Sequence, residues 1–143
     1  MRALAKVCAG YEPRAGYRFA SGRFYEFGLS PLGMQHLADL ALACIEPAVG
    51  VVRIGYINLF RTGPGDEVPE HIDHNRREME RYFPTQLQLV IEGGAGCTFT
   101  IGGHAIEHLT GDLWMIRGAT DTPHFARNDS AGNRTILVMN VVR

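Results

Sequence analysis

The 143 residues are enough to bury a core without disulfides and fit one domain, residues 1–143. The formal net charge is −1, and thirteen of the fourteen basic residues are arginines scattered along the chain, which argues against a nucleic-acid or membrane footprint and leaves a small molecule or peptide as the expected partner. Cys8, Cys44 and Cys97 are odd in number and form no CxxC pair. Lys6 interrupts the apolar N-terminus, and no stretch reaches the ~18 apolar residues of a membrane span. Reduced thiols and a cytoplasmic location are therefore expected.

The first predicted element is a strand over 23–29, where apolar and polar residues alternate. Ser30 and Pro31 then open the one predicted helix as N-cap and first helical residue. Met34, Leu37, Leu40, Ala41, Cys44 and Ile45 form its apolar face, and Pro47 with Gly50 ends it. From Val51 onward the pattern changes to short strands punctuated by Gly, Pro, Asn and Asp, over 51–61, 68–73, 85–92, 96–101, 104–109, 112–117, 122–127 and 134–142. Such a run predicts a sandwich, barrel or jelly roll. Segment 63–83 starts with Gly63-Pro64-Gly65 and carries a charged run over 74–81, which predicts a mobile lid.

The candidate chemistry lies in four residues. In a strand, residues two apart face the same way, so His71 and Asp73 of His71-Ile72-Asp73 can aim inward as a pair of metal ligands. His124, on a later strand, completes two imidazoles and one carboxylate, the set that leaves open positions on non-haem Fe(II). Arg134 follows after the turn-rich stretch 128–133 and is suited to anchor an acidic cosubstrate through paired charge-assisted hydrogen bonds.

Gln86 and Gln88 share one face of a core strand and are read as a cosubstrate or substrate wall. Arg117 and Arg127 flank the strand of His124 and are candidates to clamp a substrate carboxylate, with Trp114 as a further substrate-side residue. His74 should face away from Asp73; His104 and His108 share one strand face and read as a polar exterior; His36 reads as structural.

From about Tyr82 to Val142 the chain resembles the aspartyl/asparaginyl β-hydroxylase-like group of Fe(II)/2-oxoglutarate-dependent dioxygenases, which includes the free-proline hydroxylases. The motifs are Gly111-Asp112-Leu113-Trp114-Met115-Ile116, Thr122-Pro123-His124 with Asn128-Asp129-Ser130, and Arg134-Thr135-Ile136-Leu137-Val138. The resemblance implies a mainly β fold, a double-stranded β-helix of the jelly-roll, cupin-like kind with one N-terminal helix. It implies iron on His71, Asp73 and His124 and 2-oxoglutarate on Arg134, with dioxygen and an amino acid or peptidyl residue as the other reactants.

One departure is informative. The peptide-hydroxylating members carry their first ligand in Arg-X-His-Leu-Gly-Leu, whereas this chain has Pro84-Thr85-Gln86-Leu87-Gln88-Leu89, with Gln86 at the histidine position. The ligand pair then comes from upstream, as in the proline-hydroxylase branch. The alternative is a cupin-like isomerase or sensor: His124-Phe125-Ala126-Arg127-Asn128 matches the His-X3-Asn end of the second cupin motif, and Glu78 follows His71 at a plausible distance. Against it, Asp73 stands where the first cupin motif needs a second histidine, and Arg117 and Ala119 replace a proline and a glycine.

Overall fold

In the computed structural model, the described residues are 1–10, 15–19, 22–27, 31–73, 81, 84–117 and 121–143. The element order is α1 (Arg2–Ala9), β1 (Ala15–Phe19), β2 (Gly22–Phe27), α2 (Pro31–Val49), β3 (Arg53–Thr62), β4 (Glu67–His71), β5 (Thr85–Glu92), β6 (Cys97–Ile101), β7 (His104–Glu107), β8 (Leu113–Ile116), β9 (His124–Asn128) and β10 (Arg134–Val142). One sheet has the order β1-β2-β3-β10-β5-β8 and the other β4-β9-β6-β7, and every pairing is antiparallel. The chain crosses between sheets from β3 to β6 and again from β7 to β10. This winding is a double-stranded β-helix, as the resemblance implied.

The central strands β5 and β10 are buried on both faces; β10 reads as an almost continuous apolar run, while β5 interleaves Gln86 and Gln88 with its leucines. Their outer face packs Leu87, Leu89, Ile91, Leu137, Met139 and Val141 against Leu4, Cys8, Leu37, Ala41 and Ile45 of the helices. The inner face turns Val90, Ile136 and Val138 with Phe60 toward the second sheet, where Phe99 and Ala126 cluster with Ile116 of β8. Between the clusters the sheets leave a cavity.

Three elements differ from the sequence-based expectation. Helix α1 was not expected; Leu4 and Cys8, one turn apart, are each 1% exposed and dock it against the core. Strand β1 pairs with β2 in a hairpin the alternation pattern did not show. Helix α2 runs past Pro47 to Val49, and it stops at Gly50, whose φ of 78° suits glycine and whose N–H donates to the Glu46 carbonyl at 2.8 Å. The predicted cap Ser30 lies outside the described residues.

Candidate metal centre and anion pocket

A β-bulge aims the first histidine. Across β4 and β9, Val68 pairs with Ala126 and His71 with His124, so three steps along β4 oppose two along β9, and the extra residue lies at Pro69–Glu70. Val68 and His71 would otherwise face opposite ways; the bulge puts both on the cavity side. Proline is at home there, having no N–H to lose from the ladder. Asp73 lies two residues past the end of β4, so strand alternation is not what brings it in. Its Oδ1 nonetheless sits 3.5 Å from His71 Nε2 and 3.7 Å from His124 Nε2.

Both rings are set for coordination. His71 Nδ1 lies 2.7 Å from the Pro69 carbonyl and His124 Nδ1 lies 3.0 Å from the Thr122 carbonyl. A carbonyl only accepts, so each Nδ1 donates and Nε2, facing Asp73, is the ring atom left to meet a metal. One ligand atom from each of the three side chains lies within 4.8 Å of the others, the one such group of His, Cys, Asp or Glu side chains among the described residues. Two imidazoles and a carboxylate fit a divalent ion of the Fe(II) kind.

Arg134 begins β10 and is 1% exposed. Its Nη2 donates to His108 Nδ1 at 3.1 Å, its Nε is buried without a partner, and no carboxylate pairs with it among the described residues. Burial, partly offset by Cys97, lowers its pKa only to about 10, so it stays charged at neutral pH. His108 is wholly buried, and burial first, then the Arg134 charge, pushes its pKa down to about 3.

The cavity measures about 210 Å³ and joins these groups: His71, Asp73 and His124 on one side, Arg134, Gln86 and Gln88 on the other, with Phe60, Phe99, Ile136 and Val138 as apolar wall. Gln86 and Gln88 are each 4% exposed; Gln88 Nε2 donates to Gln86 Oε1 at 3.4 Å, leaving Gln88 Oε1 buried and unmatched.

The profile of the aspartyl/asparaginyl β-hydroxylase family matches residues 34–143. The chain belongs to that family. No curated protein matches this hydroxylase-family chain at a significant level. Among solved structures it is similar to an oxidoreductase of the 2OG-Fe(II) oxygenase family from Burkholderia pseudomallei, with 13% identity and a TM-score of 0.69 over 98% of this chain and 77% of the other. It is also similar to a predicted oxalate decarboxylase from Thermotoga maritima, with 13% identity and a TM-score of 0.51 over 92% of this chain and 87% of the other. At such identities the likeness is one of fold.

Other candidates in this hydroxylase-family chain fall elsewhere. Arg127 is exposed and its Nε donates to Asp129 Oδ1 at 2.8 Å; Arg117 is exposed beside the Met115 sulfur at 3.8 Å. Neither lines the cavity, because each occupies an outward position next to an inward one. Trp114 packs between the two inner clusters instead of facing the cavity, with its Nε1 buried and unmatched. Asn128, which completed the cupin-like pattern, donates to the Thr62 and Gly132 carbonyls and holds a loop.

His36 and His104 are exposed; His74, Glu78 and Ala119 lie outside the described residues, as does most of the charged run in the expected lid. The start of that segment is a closed turn: Gly63 N–H donates to Asp66, Asp66 N–H to Gly63, and Gly65 N–H to Asn128.

Sequence reasoning missed His108 and Phe99. Strand β7 ends at Glu107, and the chain turns His108 inward just before Gly111, whose φ is 96°. The available signal was the turn Thr110-Gly111-Asp112, which marks where alternation stops being a guide.

Proposed function

We propose that the protein is an Fe(II)/2-oxoglutarate-dependent dioxygenase that hydroxylates an sp³ carbon of an amino acid or peptidyl residue. The observation that carries this reading is Arg134: a buried guanidinium without a carboxylate partner among the described residues, in the same cavity as a His-Asp-His cluster. A lone buried charge costs several kcal/mol, and a ligand carboxylate compensates it.

His71, Asp73 and His124 would hold the iron. With 2-oxoglutarate bound, Fe(II) supplies dioxygen activation, coupling decarboxylation of the oxo acid to delivery of one oxygen atom to a C–H bond. The chain's own residues do the rest. Arg134 takes the far carboxylate of the oxo acid and thereby fixes which end meets the ligand cluster. Phe60, Phe99, Ile136 and Val138 exclude water along the wall between them. The amide pair Gln86 and Gln88 meets the polar part of whichever reactant fills that side.

Anaerobic titration with Fe(II) and 2-oxoglutarate tests the reading: a visible charge-transfer band that requires both is expected. A band absent with both present would overturn it. A screen of amino acids and short peptides for substrate-dependent succinate release and a mass gain of one oxygen then identifies the substrate.

A further inference from the structure

The usual companion of a buried arginine is a carboxylate, which supplies acceptors and cancels its charge. Arg134 has no carboxylate at hand among the described residues. Among the described residues, the ion pairs of Asp73 with His71 and His124 and of Arg127 with Asp129 leave Arg134 out. Arg134 Nη2 instead meets an imidazole nitrogen. A guanidinium only donates, so His108 Nδ1 accepts, and the ring is neutral with its proton on Nε2.

That ring is firmly held. It stacks on Phe99 at 5.7 Å with 16° between the planes. The His108 backbone N–H donates to the Cys97 carbonyl at 2.7 Å. Gly93 packs so close that a Cβ there would stand 2.2 Å from the His108 carbonyl oxygen. Thr110 Oγ1 bonds both the N–H and the carbonyl of Gly93, at 3.0 and 2.9 Å, tying the turn after His108 to the end of β5.

We infer that His108 is a positioning residue that keeps Arg134 aimed but uncancelled, so that the cavity retains a full positive charge for a dicarboxylate. This rests on the cosubstrate reading above. A neutral acceptor orients the guanidinium through one hydrogen bond and leaves its charge, and its Nε–H, for the ligand. A carboxylate at the same place would orient it equally well and abolish its need for an anion. The depressed pKa keeps the ring an acceptor throughout the physiological range.

The experiment compares the full-length protein with His108→Asn, which offers a neutral acceptor of similar reach, and His108→Asp, which offers a charged one. Two quantities are read: the melting temperature without ligand, and 2-oxoglutarate binding to Mn(II)-loaded protein by calorimetry. His108→Asp is expected to melt above His108→Asn, because it neutralises a buried cation, yet to bind 2-oxoglutarate at least about tenfold more weakly. Equal 2-oxoglutarate affinity in the two variants, or His108→Asp melting below His108→Asn, would overturn the inference. If the unsubstituted protein binds no 2-oxoglutarate while His108→Asp still melts higher, the cosubstrate reading fails and the uncancelled charge on Arg134 stands.

Discussion

His71 and His124 stand directly opposite each other across the β4–β9 pairing, their ring centroids 4.3 Å apart, and each ties its Nδ1 to the carbonyl two residues before it. The same local device thus presets both tautomers, one beside a bulge and the other at the start of a strand. Metal affinity should depend on this pair more than on the exposure of either ring.

His124→Ala or Asp73→Ala is expected to weaken divalent-metal binding by about a hundredfold or more, judged against the tenfold to hundredfold typical of outer-shell changes. Mn(II) binding followed by electron paramagnetic resonance checks it. Unchanged affinity in both variants would remove the cluster from consideration.

Arg134→Met should separate stability from function. Replacing an uncompensated buried charge with an apolar side chain of similar length is expected to raise the melting temperature by a few degrees, on the order of 1 kcal/mol. The same variant should bind 2-oxoglutarate at least tenfold more weakly, on the scale of a charge-assisted hydrogen bond, with metal binding nearly intact. A variant that loses stability and keeps affinity would contradict both halves.

The acid limb of stability should report His108. Its folded pKa is about 3 and its ordinary value 6.5, so between those limits the unfolded chain takes up a proton that the folded chain refuses. The contribution is complete above pH 6.5 and drains away as pH falls toward 3, at up to about 1.4 kcal/mol per pH unit. Urea unfolding at pH 7, 5.5 and 4.5 should show a shallower decline in His108→Asn. Parallel declines would mean the ring carries its charge in the folded protein.

Gly93→Ala places a methyl group 2.2 Å from the His108 carbonyl and 2.8 Å from Val90 Cγ1, so backbone must move. A loss on the order of 1–3 kcal/mol is expected. Because the displaced residue is His108, 2-oxoglutarate affinity should fall as well, and calorimetry beside thermal melting separates the two effects. Weakened stability with undiminished affinity would show that the turn adjusts without disturbing Arg134.

Much of this was legible in the residues, for identifiable reasons. The strands from β3 to β10 show themselves because turn residues punctuate a buried β core, and the pairing of His71, Asp73 and His124 follows from residue types that chemistry rarely brings together. Local rules failed where tertiary contacts decide. Alternation explains neither the bulge that aims His71 nor Asp73 beyond the strand end. His108 shared a face with His104 on paper, yet the chain leaves β7 between them and buries only the second. Arg117 and Arg127 flank the strand of His124 in sequence, yet each follows a buried residue, Ile116 or Ala126, and so points outward.

The one-residue surplus at Pro69–Glu70 makes coordination a matter of parity. Removing either residue would leave two steps from Val68 to the histidine against the two from Ala126 to His124, so the pairing would become regular with the histidine still on the cavity side. The strand would gain regularity and the cluster would keep its histidine. Among descendants of this sequence, a single in-frame codon deletion there is therefore a change the cluster absorbs, whereas loss of both codons sets the histidine next to Val68 and turns it to the opposite face.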